Sequence, residues 1–198
     1  YKIKKIKKEK ENEMSRVLVP LADGFEEIEA INIIDVLRRG GIEVLVASLG
    51  EKSAVVGAHN VTVLSDMSIN NVDVESLDMI VLPGGWDGTV ALRDDANVQR
   101  ILKEMDKEGK SIGAICAAPL ALESAGVLKH NYTCYPTIEK QIREDGFSDK
   151  NMVVQDANVL TSRGPATAIC FGLQIVKKLQ GEKKYSDVKS ALLADYCD

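Results

Sequence analysis

The sequence predicts a single α/β domain in which helices cover both faces of a mostly parallel sheet. Strand-like and helix-like segments alternate from Ser15 onward. Several strand-like segments, such as "RVLVPL" at 16–21, are continuous apolar runs, which is typical of strands buried on both faces. Glycines such as the pair Gly40–Gly41 stand where the alternation requires turns.

The first half of the chain begins with the strand at 16–21 and a helix at 26–41. Four apolar side chains of that helix recur at helical spacing, which predicts that they face the core: Ile28, Ile31, Ile34 and Leu37. Short segments rich in β-branched residues predict the next two strands, and a buried strand then ends in the glycine turn "PGG". The predicted strands after the first are 42–49, 60–66 and 77–85 with its turn.

The second half repeats this alternation. An amphipathic helix is predicted at 95–110, a strand at 111–116, and a helix directly after it at 118–126. The segment 152–162 predicts a hairpin that turns at 156–158. A long helix at 165–181 has proline in its first turn, and a last helix ends the chain.

Composition excludes several classes of function. The chain has 198 residues, 45% apolar and 28% charged, with a net charge of −5, so no basic field favours nucleic acid. No apolar run reaches the roughly 18 residues of a membrane span. Residues 1–14 read as a lysine-rich extension without the apolar core of a signal peptide, and residues 15–198 as the domain.

The cysteines indicate a reduced, cytoplasmic protein. The four of them, at 116, 134, 170 and 197, form no C-x-x-C pair, and a disulfide framework is not expected in a chain of this size. With only two histidines, His59 and His130, no metal site is expected. Neither histidine is placed to partner a catalytic cysteine, and both are expected at the surface.

Cys116 is the candidate nucleophile because it follows a buried strand and precedes a helix. A residue at such a junction is pushed out of the sheet, as in the nucleophile elbow of hydrolases. Proximity to a helix N-terminus and partial exposure predict a lowered thiol pKa. The alternative interpretation is a small buried apolar cysteine.

Two further features support chemistry at this point. The glycine pair Gly84–Gly85 would let backbone N–H groups face the same crevice, where those of Gly85 and Ala117 could stabilise an oxyanion. Glu29 adjoins the apolar stripe of the first helix, so burial should raise its pKa and let it exchange protons with the thiol or a substrate. The acids at 26 and 27 are expected only to complement the helix dipole.

Together these stretches resemble the ThiJ/PfpI superfamily, in the branch that contains the parkinsonism-associated protein deglycase. The matching stretches are "VLVPLADGFEEIEA", "DVLRRGGIEV", "DMIVLPGG", "AICAAP" and "LTSRGPATA". The resemblance implies a flavodoxin-like three-layer sandwich, usually a homodimer, with the first helix and the Arg163 segment as its candidate surfaces. It also implies a nucleophilic, oxidation-sensitive Cys116 hydrogen-bonded to a protonated Glu29.

The resemblance further implies an anion pocket made by the backbone of Gly85 and Ala117. Residues predicted to line that pocket are Gly84, Tyr135, Pro136, Arg163 and Pro165. Tyr135 stands where some members have histidine, which argues against a protease-like Cys–His mechanism.

The first functional hypothesis is a cofactor-independent glyoxalase or deglycase that acts on small reactive aldehydes or glycated substrates. A redox sensor or redox-controlled chaperone that uses the same cysteine is the alternative. A role in thiamine (thiazole) biosynthesis and peptidase activity are weaker alternatives, since no nucleotide-binding sequence is present and Tyr135 replaces histidine.

Overall fold

The alternating segments fold into a seven-stranded sheet with helices on both faces, in a computed structural model that describes residues 14–197. Residues 1–13 of the predicted extension lie outside the described residues. The strands are β1 (Arg16–Leu21), β2 (Glu43–Ser48), β3 (Ala54–Val56), β4 (Thr62–Leu64), β5 (Met67–Ser68), β6 (Met79–Leu82), β7 (Ser111–Ile115), β8 (Val153–Asp156) and β9 (Val159–Ser162). The helices are α1 (Glu27–Arg39), α2 (Trp86–Asp94), α3 (Ala96–Lys107), α4 (Pro119–Ser124), α5 (Glu139–Ile142), α6 (Ala168–Gln180) and α7 (Glu182–Ala191).

The order of the strands creates a crevice at one edge of the sheet. The strand order of this sheet is β5-β2-β1-β6-β7-β9-β8, and only β8 is antiparallel to its neighbour. The chain moves outward from β1 to β2 and β5 and then returns to the other side of β1 with β6, so the connections reverse direction between β1 and β6. Ligands of such sheets bind at the carboxyl ends of the strands beside this reversal. The loops after β1, β6 and β7 therefore meet where the sequence places the candidate residues.

The sheet separates two apolar cores. Val17 and Val19 of β1 pack with side chains of α1 and α6, whereas Leu18 packs on the opposite face with side chains of α3. All three are fully buried. Burial of each such side chain contributes roughly 1.5–3 kcal/mol to the hydrophobic free energy of folding. None of the described helices is both long and apolar enough to cross a membrane.

Helix α1 buries a different face from the predicted one. Ile28 and Ile31 are 54% and 42% exposed, so the expectation that they face the core is wrong. The reason is that α1 packs against α6 as well as against the sheet. Gly172 lets the two helices approach so closely that a Cβ there would lie 2.9 Å from the side chain of Val36. This docking turns Glu29 toward the protein interior.

Four short elements were not predicted from the sequence: β3, β5, α2 and α5. Helix α2 buries Gly88 and Thr89 with only one large apolar side chain, Leu92, so it has no strong apolar stripe. Gly88 packs directly on the backbone of Phe25, where a Cβ would lie 2.9 Å away. Pro165 begins a 3₁₀ turn (Pro165–Thr167) that precedes α6 instead of opening it.

The prediction that all cysteine thiols are reduced is wrong. Cys170 and Cys197 form a disulfide, with their Cα atoms 5.1 Å apart and a separation of 27 positions in sequence. Helix α7 folds back on α6, and this brings the C-terminal cysteine against the helix that carries Cys170. Cys116 and Cys134 are free.

Candidate active site

Cys116 occupies a sharp turn between β7 and α4. Its φ is +63°, a left-handed conformation that L-residues with a side chain rarely adopt. The backbone holds the turn from both sides, since its N–H donates to the carbonyl of Ser162 at 3.0 Å and its carbonyl accepts the N–H of Tyr135 at 2.9 Å. Strain of this kind persists where surrounding structure enforces it, and it frequently marks a functional residue. The geometry is the predicted nucleophile elbow.

Glu29 approaches this turn from α1 and is completely buried. Its Oε2 accepts the N–H of Gly84 at 2.7 Å, whereas Oε1 is buried without a hydrogen-bond partner among the described residues. Gly84 separates the two functional groups. A Cβ added there would lie 2.6 Å from both Cys116 Cβ and Glu29 Oε2, so only glycine lets the carboxyl and the thiol come together.

Two backbone amides point at the sulfur. Gly85 and Ala117 donate hydrogen bonds that stabilise negative charge on Cys116. Gly85 has φ +88° and packs against the backbone of residues 24–26, where a Cβ would lie 2.3 Å from the Gly24 carbonyl oxygen. Both N–H groups are fixed before any substrate arrives, which is what oxyanion stabilisation requires.

The environment raises the pKa of Glu29 to about 7, mainly because burial disfavours the carboxylate. The negative charge of Glu26 acts in the same direction, and hydrogen bonds from the Cys116 thiol and the Gly84 N–H oppose it. The expectation of a raised carboxyl pKa therefore agrees with the structure. The carboxyl is poised to change protonation state near neutral pH.

The pKa of the Cys116 thiol is also raised, so the expectation of a lowered thiol pKa is wrong. Burial is the largest cause, and the neighbouring Glu29 adds to it; the amides of Gly85 and Ala117 only partly compensate. The sulfur is less accessible than expected, with Cys116 9% exposed. Helix α4 has only six residues, so its dipole is too short to reverse this.

The thiol and the carboxyl consequently act as one titrating unit. When two sites interact strongly, protons leave in steps that belong to the pair. The first proton leaves near pH 7, mainly from Glu29, and the Cys116 thiol, whose pKa is raised, keeps the second. A substrate that reaches the sulfur can thus meet a nucleophile whose proton Glu29 is able to accept.

This coupling predicts an unusual pH dependence of stability. The pKa of Glu29 rises from an ordinary 4.5 to about 7 on folding, so the stability associated with its protonated form is fully present below pH 4.5 and is lost as the pH rises through 7. The loss amounts to about 3 kcal/mol in the free energy of unfolding. Urea unfolding should give a lower free energy of unfolding at pH 8 than at pH 5 in the wild type, and this difference should be absent in Glu29→Gln. Parallel pH curves for the two proteins would contradict the assignment.

A second polar group lies beside Glu29 at the start of α1. Glu26 caps the helix by accepting the Glu29 N–H at 2.8 Å, and Glu27 accepts both the backbone N–H of His59 at 2.6 Å and its Nδ1 at 3.0 Å. The acid at 27 thus anchors the β3–β4 hairpin instead of only complementing the helix dipole. His59 is at the surface, as expected.

Glu26, Glu27 and His59 are also the one group in the described residues with the composition of a metal site, with possible ligand atoms within 4.8 Å of one another. Glu27 already accepts N–H groups with both oxygens, and Glu26 with one. The positive end of α1 also disfavours a cation here. The contacts are explained by capping and by anchoring of the hairpin.

The other predicted lining residues lie around the Cys116 backbone. Tyr135, which is half exposed, follows a buried segment and packs beside Gly164, where a Cβ would lie 3.3 Å from the tyrosine ring. Arg163 directly follows Ser162, which holds the Cys116 N–H, and its charge acts on Cys134. Pro165 is half-buried in the turn after it, and Pro136 is exposed. That their side chains line a ligand site remains a prediction.

Sequence reasoning missed Trp86, the only tryptophan in the chain. It is the first residue of α2, directly after the Gly85 amide, and is 49% exposed. A half-exposed tryptophan beside a glycine turn is the sequence signal that would have drawn attention to it. It also provides an intrinsic fluorescence probe next to the candidate site.

Comparison with known proteins agrees with this geometry. The model of the DJ-1/PfpI family matches residues 15–178. The chain is 41% identical to Protein dj-1beta of Drosophila melanogaster over 181 residues, which are 90% of this chain and 97% of that protein. It is 36% identical over 178 residues to a Caenorhabditis elegans protein named glutathione-independent glyoxalase DJR-1.2, with 89% and 94% of the two chains covered.

A solved structure gives the same result for the fold. Toxoplasma gondii DJ-1, in a form described as oxidized, superposes with a TM-score of 0.87 at 37% identity, covering 90% of this chain and 98% of the other. The mostly parallel flavodoxin-like sandwich expected from the sequence is thereby confirmed. With a family match over most of its length and relatives of this similarity, the chain belongs to the DJ-1/PfpI family.

Proposed function

We propose that this chain converts reactive α-oxoaldehydes such as methylglyoxal, or their early adducts on proteins and nucleotides, into hydroxy acids in a stress response. The observation that carries the proposal is the completely buried Glu29 carboxyl, with a pKa of about 7, which lies next to the Cys116 thiol because Gly84 has no Cβ between them. A relative that covers nearly the whole chain and is named a glutathione-independent glyoxalase supports the same activity. We expect no metal or organic cofactor.

The chemistry follows from the positions of the groups. As Sγ of Cys116 adds to the aldehyde carbon, Glu29 accepts the thiol proton, and the oxygen that becomes negative faces the amides of Gly85 and Ala117. The resulting hemithioacetal carries a hydrogen on the former aldehyde carbon. Glu29 first passes the thiol proton to the negative oxygen and so becomes a carboxylate again. It then removes the hydrogen of that carbon as a proton and returns it to the neighbouring carbon, while the hydroxyl proton moves to the former ketone oxygen, which leaves a thioester. Water then hydrolyses the thioester, which releases lactate and restores the thiol. The net reaction adds one water to methylglyoxal.

The direct test is lactate formation from methylglyoxal by the purified chain, in buffer without glutathione and with a chelator present. We expect stoichiometric lactate, with time courses that scale with protein concentration. Consumption of methylglyoxal without lactate would mean simple trapping by thiols and amines and would refute the enzymatic proposal.

A second candidate function, a peroxide sensor or redox-controlled chaperone, is favoured by one comparison between the two free thiols. Cys116 is 9% exposed and faces two amides, whereas Cys134 is completely buried. A sulfinate at Cys116 would accept hydrogen bonds from those amides and from protonated Glu29. Peptide mass spectrometry after peroxide treatment should find oxygen on Cys116 first. Earlier oxidation of Cys134 would contradict this role.

We infer that the active form is a homodimer that buries the outer face of α1. Ile28 and Ile31 lie one turn apart on that face and are exposed, and Val61, 50% exposed, lies beside them because its N–H reaches Glu27 at 3.4 Å. Light scattering should give twice the chain mass for the wild type and a monomer for Ile28→Asp/Ile31→Asp. Leu193→Asp, at an exposed apolar residue of the C-terminal segment, is the matched control and should remain dimeric.

The place of action that we propose is the cytoplasm, where reactive aldehydes from sugar metabolism would be met. A peptidase mechanism has less support, because Tyr135 offers no imidazole beside Cys116 and the two histidines form pairs with carboxylates elsewhere.

A further inference from the structure

We propose that Cys170 and Cys197 form a second redox centre, separate from Cys116, which a small anionic thiol opens by exchange and which fastens the C-terminal end of the chain to α6. The proposal is independent of aldehyde chemistry. It concerns the residues after α7 and the helix on which they pack.

The disulfide links the segment after α7 to α6. Cys197 is 1% exposed and Cys170 is 4% exposed, so the bond is covered on most sides. Around it, the Tyr185 hydroxyl donates to the Cys197 carbonyl at 3.2 Å, and the Cys197 N–H donates to the carbonyl of the buried Ala194 at 3.0 Å. Ala194 is also buried in the core and Leu192 packs against it, whereas Leu193 between them is 83% exposed. Because it is covalent, the disulfide is the strongest single link of this segment to α6.

A cavity lies beside the disulfide and has Cys170 among its lining residues. It has a volume of about 390 Å³ and lies between the β8 strand and α6. This volume falls within the range of roughly 300–1,000 Å³ that small-ligand sites occupy. The wall also contains Lys150, the amide side chains of Gln155 and Gln174, and Met152. One cation, amides and a thioether beside a disulfide suit a short peptide-like thiol that carries carboxylates.

The exchange balances as ordinary thiol–disulfide chemistry. A thiolate in the cavity attacks Sγ of Cys170, the bond between the two cysteines breaks, and Cys197 leaves as a thiolate that takes a proton from water. A second thiolate attacks the sulfur of the bound small molecule, so Cys170 leaves as a thiol after protonation and a small-molecule disulfide departs. Two thiols thus supply two electrons. The small-molecule disulfide re-forms the bond by the reverse steps.

Reduction should loosen the C-terminal segment without unfolding the domain. Helix α6 stays in place because it packs on α1 through Gly172 and on the sheet through Phe171, both of which are independent of the bond. Removing a crosslink between residues 27 apart restores loop entropy to the unfolded chain. We expect reduction to lower Tm by roughly 5–10 °C.

The first experiment counts thiols. Full-length protein equilibrated with oxidised glutathione, then denatured and alkylated, should carry two labels, at Cys116 and Cys134, and four after reduction. The melting temperature should fall on reduction in the wild type and in the control Cys134→Ala. It should not respond to reductant in Cys170→Ala/Cys197→Ala. Four labels before reduction, or equal melting temperatures, would overturn the proposal.

The second experiment tests entry through the cavity. Lys150→Glu should slow reduction by glutathione roughly threefold or more and leave reduction by uncharged dithiothreitol unchanged. Lys103→Glu makes the same charge change on α3, on the opposite face of the sheet, and should slow neither reaction. Equal glutathione rates in all three proteins would show that an anionic thiol does not enter beside Lys150.

Discussion

Replacing Cys116 by serine should lower kcat/KM for methylglyoxal by about a thousandfold or more. The serine oxygen retains the elbow geometry but holds its proton far more tightly than sulfur, so a carboxylate with a pKa of about 7 cannot deprotonate it effectively. The amides of Gly85 and Ala117 remain in place in this variant, so any residual activity reports what they contribute without a nucleophile. Lactate formation in steady state measures the effect.

The matched control for this variant is Cys134→Ser. It makes the same chemical change at the other free cysteine, which is completely buried. We expect its turnover to stay within about threefold of the wild type, with circular dichroism confirming that both variants fold. A Cys116→Ser enzyme with more than a tenth of wild-type activity would exclude covalent catalysis by this sulfur.

Replacing Glu29 by glutamine should lower kcat for methylglyoxal by about a hundredfold to ten-thousandfold, the usual contribution of a positioned general base. Glutamine has nearly the same shape and its oxygen can still accept the Gly84 N–H, but it cannot accept the thiol proton. The buried thiol would then have to ionise alone, with its pKa raised by desolvation. Glu29→Asp should recover part of the activity, since it restores a base that is one methylene shorter.

Glu26→Gln is the control on the same turn of α1. Its amide oxygen preserves the cap on the Glu29 N–H, while the negative charge that raises the pKa of Glu29 disappears. Turnover should therefore persist, with the acidic limb of the pH profile moved to lower pH. If Glu29→Gln and Glu26→Gln lost activity equally, the role of Glu29 would be structural.

Local sequence was sufficient to predict the elbow, because the signals that build it are local. A buried strand, a cysteine and a helix with proline in its first turn follow one another within 111–124, and the observed φ of Cys116 fits that reading. The glycine turn after β6 was equally readable. Parallel strands bring such turns to one edge of the sheet whatever their distance in sequence.

The burial of Glu29 was harder to predict, because the apolar stripe predicted for α1 is not the face that the structure buries. Ala30, Ile33, Ile34 and Leu37 also follow the i, i+3, i+4, i+7 pattern, and these are the residues that the structure buries. The helix therefore has two overlapping apolar faces. One packs on α6, and the other leaves isoleucines exposed. The outward face is the one for which we propose a partner subunit.

Two properties depended on long-range packing and could not be predicted from spacing. The disulfide joins Cys170 and Cys197 because α7 packs against α6, which no cysteine spacing encodes. The raised thiol pKa of Cys116 depends on how much water the loops after β1 and β6 exclude. Local sequence identified the chemical groups, and tertiary packing determined their protonation.

The claim that Cys116 and Glu29 titrate as one unit near neutral pH is tested most directly by the pH dependence of Cys116 alkylation with iodoacetamide, an uncharged probe. Wild-type protein should show a rate that rises with an apparent pKa near 7 and then levels off. Glu29→Gln should lack this transition and react only at alkaline pH. Identical alkaline profiles for the two proteins, or a near-neutral transition that survives in Glu29→Gln, would contradict the account.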